Sequence, residues 1–248
     1  MLRTLGIVEA CYDAPRARSQ AARKLGGKSV LEWVVRRATD CQQLDGVIVV
    51  TCDTAENAFV SKLVPLDVPI VVGKQADALA CMAGALEEYQ AEAAVRICSG
   101  WPFVDPMLID RLVITATADP DCDYASYSSR DGRPAILSPV GVYAEWFRTE
   151  ALREAAKKAR SRVDRQHVTR YLYSHPERFK IRLIPAPEQI DREDVRLTVD
   201  MEEDWEHALA IYEALGPEID WRRIAELLDH QPALRSRMAA LNRVHAKG

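Results

Sequence analysis

The sequence predicts an α/β fold, a doubly wound and mostly parallel sheet, and three observations carry that expectation. Almost wholly apolar, β-branched runs recur, such as Val47 to Thr51 (VIVVT), and amphipathic stretches such as Ser29 to Thr39 separate them. A third such run, Val95 to Cys98, breaks at Ser99-Gly100 into a loop bracketed by Pro102 and Pro106. Strands apolar on both faces and alternating with helices belong to parallel sheets covered on both sides. Ligands of such sheets sit beyond the carboxyl ends of the strands, so the loop after Cys98 is a candidate ligand-facing segment.

Taken in order, Thr4 to Ala10 reads as a strand, Ser29 to Thr39 as a helix and Val47 to Thr51 as a strand. A short helix follows, then a strand at Val68 to Val72, a helix at Ala78 to Tyr89, the strand at Ala94 to Cys98 and a helix opening near Met107. The second half is less regular. Strands are expected at Asp123 to Ser129, Ile136 to Tyr143 and Phe179 to Pro185, with Pro and Gly marking the middle one as a loop or edge position. Helices are expected at Thr149 to Arg160, Val168 to Tyr173 and Glu202 to Leu215, the last opened by acidic residues as the helix dipole favours. Ile219 to Asp229 and Pro232 to Val244 read as a closing helical pair. The expected organisation is one domain over residues 1–248, with an inserted arm at about 136–190 and closing helices at about 202–245.

Composition bounds the function. The chain has 248 residues, 48% hydrophobic and 28% charged, enough for a sizeable core. Lys and Arg number 33 against 37 Asp and Glu, a net charge of -4, which offers no global attraction to nucleic acid or an anionic membrane. The N-terminus shows no signal-cleavage pattern, and no run of about eighteen apolar residues occurs, so a cytoplasmic protein is expected. Six cysteines, with no C-x-x-C pair and no zinc-finger spacing, read as packed thiols, not as a disulfide or metal scaffold. No P-loop, dinucleotide fingerprint or hydrolase elbow is present, and Asp121-Cys122-Asp123 precedes a strand where a metal site would follow one.

Ordered segments across nearly the whole chain carry a resemblance: LGGKSVLEWVV at 25–35, VIVVTCD at 47–53, DALACMAGALEEY at 77–89, VRICSGWPFVDP at 95–106, RQHVTRYLY at 165–173 and VRLTVDMEEDW at 195–205. Together they resemble the cytidylyltransferase family of 3-deoxy-manno-octulosonate and acylneuraminate cytidylyltransferases, and especially its spore-coat polysaccharide branch. The resemblance implies a sheet of nucleotide-diphospho-sugar transferase type that binds CTP and an acidic sugar. It implies attack of a sugar hydroxyl on the α-phosphate, departure of pyrophosphate, Mg²⁺ as cofactor and a homodimer. Such a reaction needs negative charge held by cations and backbone donors.

Read onto this chain, the resemblance gives Arg16 the phosphate-neutralising, catalytic role and places Arg16, Arg18, Asp53, Asp77 and Arg96 on the nucleotide. Tyr143, Glu145, Arg165 and His167 fall on the sugar side, and Asp200 on a metal-ligand position. The residues themselves leave alternatives open: Asp77 and Asp200 also suit helix caps, His167 a structural hydrogen bond, and Arg18, Arg23 and Lys24 a solvated surface. Two stretches depart from the family. The loop Ala10 to Gln20 (ACYDAPRARSQ) has Cys11 for a family arginine, Asp13 for a glycine and Gln20 for a lysine. In RICSGWPFVDP, Gly100 stands where the family has a metal-binding aspartate, followed by Trp101 as a lid, a core residue or a plug in the phosphate space. Mg²⁺ needs hard oxygen ligands, which glycine cannot supply. Two readings follow, a cytidylyltransferase of surface-polysaccharide sugar activation with impaired catalysis, and a non-catalytic nucleotide- or sugar-binding homologue acting as regulator or scaffold.

Overall fold

A computed structural model describes residues 2–12, 15–73 and 77–245. The elements are β1 (Leu2–Glu9), α1 (Pro15–Ala22), β2 (Lys24–Leu25), β3 (Lys28–Ser29), α2 (Val30–Thr39), β4 (Gly46–Cys52), β5 (Ile70–Gly73), α3 (Ala78–Tyr89), β6 (Ala91–Cys98) and α4 (Pro106–Thr117). After these come β7 (Tyr124–Ser128), β8 (Glu145–Arg148), α5 (Thr149–Lys158), α6 (Arg162–Gln166), α7 (Arg170–Tyr173), β9 (Ile181–Pro185), α8 (Glu202–Leu215), α9 (Trp221–Asp229) and α10 (Pro232–His245). Seven strands form one sheet in the order β5-β4-β1-β6-β8-β7-β9, and β2 pairs with β3 in a separate hairpin. All pairings in the large sheet are parallel except those of β8, which runs against both neighbours. The expected fold class holds.

Alternation along the strands divides two cores. Val8, Val95 and Ile97 point to one side, with Val34 of α2, Leu108 of α4 and Ile211 of α8. Leu5, Ile7 and Val50 point to the other, with Leu79 and Met82 of α3 and Leu152 of α5. Helix starts are set chemically. Ser29 accepts a hydrogen bond from the Glu32 N–H at α2, and Asp77 from the Ala80 N–H at α3, so each satisfies a donor that the first turn leaves open.

The structure departs from expectation in four places. The loop after β1 contains a helix, α1, because Pro15 can occupy a first helical position without losing a needed N–H. The expected short helix after β4 is two separate 3₁₀ turns, at Ala55–Asn57 and Val60–Lys62. Ile136 to Tyr143 is not a strand: a 3₁₀ turn covers Ala135–Leu137, Pro139 cannot donate to a ladder, and the strand forms one step later as β8. Residues 136–190, expected as an arm, contribute β8 and β9 to the main sheet, with β8 inserted between β6 and β7.

That insertion is tied by buried charge. Arg96 on β6 stands opposite Glu145 on β8, and its Nη1 donates to Glu145 Oε2 at 2.7 Å while its Nε donates to Glu9 on β1. Glu145 is fully buried and also accepts from Tyr124 of β7 and from Thr169 Oγ1 at 2.8 Å. Burial and the adjacent carboxylate push the Tyr124 phenol up, so it stays a donor. Removing one member of a buried pair leaves the other charge uncompensated, a loss of about 3–5 kcal/mol. Arg96→Ala is therefore expected to lose that much in urea unfolding, whereas Arg36→Ala, whose pair with Asp67 is solvent-exposed, leaves the midpoint nearly unchanged.

Candidate functional site

The chain builds β1, β4 and β5 outward on one side and then places β6 on the other side of β1, so the topological switch lies between β1 and β6. A crevice beyond the strand ends is expected there. The loop after β6 is rigidly held. Ser99 N–H donates to Glu9 O at 3.3 Å, and Asp105 N–H to Val142 O at 3.0 Å. Asp105 is fully buried; one oxygen accepts from Met107 and Leu108 N–H at 3.0 and 3.1 Å, and the other from Trp221 N–H at 2.9 Å. Burial pushes its carboxyl up, while those N–H donors and Arg37 hold it down. Asp105 is thus the cap of α4.

Beside this loop runs the extended segment Val195 to Asp200. Val199 N–H donates to Gly100 O at 3.1 Å, and Leu197 N–H to Pro139 O at 2.9 Å. Gly141 permits the approach: at φ +67° it presses against this segment, and a Cβ there would meet Thr198 N at 2.9 Å. The segment's far end is fixed by Asp204 in the first turn of α8, which accepts from Arg196 Nε at 2.6 Å and from the N–H groups of Asp200 and Met201 at 3.0 and 2.9 Å. Asp200 itself accepts from Thr198 Oγ1 at 2.8 Å and Arg196 Nη2 at 3.4 Å, yet its side chain is 60% exposed.

Asp200 and Trp101 border a cavity of about 1100 Å³ whose wall also carries Arg130, Arg133, Arg192, Arg196 and Arg243, interspersed with Asp131, Asp191, Glu193 and Asp194. Cationic side chains in a concave site select anionic ligands, and arginine binds carboxylate or phosphate with two parallel donors. The guanidinium groups of Arg133 and Arg243 make no ion pair or hydrogen bond among the described residues. Trp101 is buried at the cavity's edge, beside Gly100.

Of the residues singled out from sequence, Asp200 and Trp101 line this cavity. Arg16 is exposed on α1, and its charge lowers the carboxyl of Glu202 after that of Arg23, two residues beyond Asp200. Arg18 is half-exposed on the same helix, Lys24 is exposed, and Arg23 is held by Glu202 and lies over the Trp205 ring. Asp53 is exposed at the end of β4. Asp77 caps α3 and also pairs with Arg165, so these two meet. His167 is exposed at the end of α6. Arg96, expected on the nucleotide, is spent on Glu9 and Glu145, and Glu145, expected on the sugar, on Arg96, Tyr124 and Thr169. Tyr143 is fully buried against Tyr127 rather than facing a ligand. Gln20, in the place of a family lysine, is buried in α1, and Asp13 lies outside the described residues. Sequence reasoning missed Arg133 and Arg243, whose only signal is isolated positive charge on segments distant along the chain.

The residues do not form a ready metal site. Among the described residues no group of three or more His, Cys, Asp or Glu side chains is placed to hold an ion. Gly100, whose carbonyl accepts from Val199 next to Asp200, adds no carboxylate, and a Cβ built on it meets nothing within 4 Å. Among the described residues no helix is long and apolar enough to cross a membrane.

The family model described as Cytidylyltransferase matches residues 5–231. The uncharacterized protein MJ1063 of Methanocaldococcus jannaschii is 30% identical over 95% of this chain and 94% of its own length. The spore coat polysaccharide biosynthesis protein SpsF of Bacillus subtilis is 24% identical over 92% and 95% respectively. A solved cytidylyltransferase structure from Leptospira borgpetersenii serovar Hardjo-bovis superposes with a TM-score of 0.82 at 18% identity, covering 94% of this chain and 97% of that one, a likeness of fold.

Two glycines give opposite expectations. Gly100→Asp should fold with an unchanged melting temperature, since its side chain enters open space. Gly141→Ala should cost roughly 1–3 kcal/mol in chemical unfolding, because a left-handed backbone and the Thr198 contact both oppose a Cβ.

Proposed function

Because the chain belongs to the cytidylyltransferase family, we propose that it keeps the acidic-substrate side of a sugar-activating site and lacks a preformed Mg²⁺-triphosphate side. On this reading it binds an anionic sugar, or the sugar-nucleotide made from one, for surface-polysaccharide synthesis, and turns over CTP slowly or not at all. The observation that carries the proposal is the cavity in which Arg133 and Arg243 stand unpaired among the described residues, while Gly100, bonded to Val199 next to Asp200, brings no carboxylate of its own. Nucleotidyl transfer depends on charge stabilisation at the phosphates, and loss of one such group costs about 10²-fold or more. Here a loop arginine, a loop lysine and a carboxylate are replaced together, by Cys11, Gln20 and Gly100.

This chain's own residues divide the work. Arg133 and Arg243 hold the carboxylate of the sugar, Arg196 orients Asp200, and Trp101 shields one side of the cavity from water. Bound Mg²⁺ would supply charge neutralisation at the triphosphate, and the residues present do not build its site. The exposed position of Arg16 near Glu202 favours a second reading, in which α1 lends Arg16 and Arg18 to CTP and activity persists. A cytoplasmic location and a homodimer complete the proposal; the dimer rests on the family resemblance and on the prevalence of two-fold pairs.

Titration calorimetry tests the binding half. Eight- and nine-carbon acidic sugars and their CMP conjugates should bind, and the Arg133→Ala, Arg243→Ala double variant should weaken that binding about tenfold or more, the value of a lost charge-assisted contact. CTP binding should not respond to Mg²⁺ in the natural protein and should gain such a response in Gly100→Asp. Binding of the sugars unaffected by the arginine substitutions would overturn the assignment of the cavity.

A further inference from the structure

The ends of β1 and β4 and the first turns of α3 bring three thiols together. The parallel register of β1 on β4 reaches Glu9 against Val50, and the ladder continues with Ala10 N–H donating to Val50 O at 2.8 Å. One step further, Cys11 lies beside Cys52, and neighbours in a parallel ladder direct their side chains to the same face. Adjacent strands lie about 4.8 Å apart, within the Cα separation that a disulfide spans. The sulfurs of Cys11 and Cys52 are 2.7 Å apart. Cys81 on α3 brings its sulfur to 3.6 Å from that of Cys52.

The third thiol is admitted by a missing side chain. Gly73 on β5 pairs with Cys52, and a Cβ on Gly73 would stand 2.1 Å from the Cys81 sulfur. Cys52 and Cys81 are buried, and Cys11 is half-exposed, so a small oxidant meets Cys11 first. Cys41, Cys98 and Cys122 take no part in this cluster.

We propose that Cys11, Cys52 and Cys81 are an oxidation site in which Cys11 and Cys52 join as a disulfide and Cys81 is the alternative partner of Cys52. The oxidant is a hydroperoxide. The Cys11 sulfur attacks the peroxide, the O–O bond breaks, and the products are a sulfenic acid on Cys11 and an alcohol, or water when the oxidant is hydrogen peroxide. The Cys52 sulfur then displaces the sulfenic oxygen as water, so two thiols lose two electrons and two protons and one S–S bond forms. Attack of Cys81 on the Cys52 sulfur moves the bond to Cys52–Cys81 and returns the Cys11 thiol. The first disulfide fixes the residues just after β1 to the end of β4. This inference concerns the thiols alone and stands whether or not the cavity binds a sugar.

Thiol contacts with Cys52 and Cys81, and then burial, hold the Cys11 thiol above the usual range, and its neighbours leave Cys52 at about 12. Only thiolate attacks, so the rate of disulfide formation should rise roughly tenfold per pH unit between pH 7 and 9.

The test is hydrogen peroxide treatment of the reduced, full chain, followed by thiol titration in denaturant and peptide mapping without reductant. The expected result is a fall from six thiols to four, with one linked peptide pair joining Cys11 to Cys52 or Cys52 to Cys81. Cys81→Ser should leave the Cys11–Cys52 link intact, Cys11→Ser should divert it to Cys52–Cys81, and Cys52→Ser should abolish both. Circular dichroism confirms that each variant is folded; for one that is not, the linked peptide of the natural chain decides. Six thiols remaining, links through other cysteines, or Cys11 oxidised to sulfinic acid without any link would overturn the proposal.

Discussion

The guanidinium of Arg96 is the interaction on which much of the molecule turns. It joins Glu9 of β1 to Glu145 of β8, and Glu145 in turn holds Tyr124 of β7 and Thr169 before α7. The parallel half of the sheet and the half containing the reversed strand are therefore stitched through one charged centre beneath the strand ends. A buried charge of this kind is stable only when every partner is present, which makes the junction specific as well as firm. It also withdraws Arg96 and Glu145 from ligand chemistry, so the recognition of phosphate or sugar falls to side chains further out on the loops.

Those loops carry two unequal endowments. Around the cavity, Asp204 orders Arg196 and the corner at Asp200, while Gly141 lets the Val195–Asp200 segment lie close against the loop before β8. The result is a supported wall on which, among the described residues, Arg133 and Arg243 stand unpaired. At the switch point, by contrast, Gly100 offers a backbone carbonyl to Val199 and no side chain, Gln20 is buried, and Cys11 is turned toward other thiols. A supported anion wall beside an unsupported triphosphate corner is the physical basis of the functional proposal.

The fold was largely legible in the sequence because its signals are local. Apolar runs such as VIVVT, caps such as Asp105 and Asp77, and the acidic start of α8 each declare an element without reference to the rest of the chain. The strand expected at Ile136 to Tyr143 failed for the opposite reason: Pro139 and Gly141 serve long-range contacts with Leu197 and Thr198, which no local pattern reveals. The site was half legible. Asp200 could be placed from its segment, and the vacancy at Gly100 from comparison with the family pattern. Arg133 and Arg243 could not, since α10 and the turn after β7 meet only in three dimensions. Nor could sequence show that Tyr143 is buried against Tyr127, because an apolar neighbourhood reads alike for a core and a pocket residue.

The central claim is that this framework has kept an anion-binding wall without the charge arrangement that drives nucleotidyl transfer. The most direct measurement is pyrophosphate release from CTP by the natural chain, with Mg²⁺ and each of a panel of eight- and nine-carbon acidic sugars. The account predicts release at or near the rate of an enzyme-free control, even at sugar concentrations that saturate binding. Robust, sugar-dependent release that requires Mg²⁺ would contradict it.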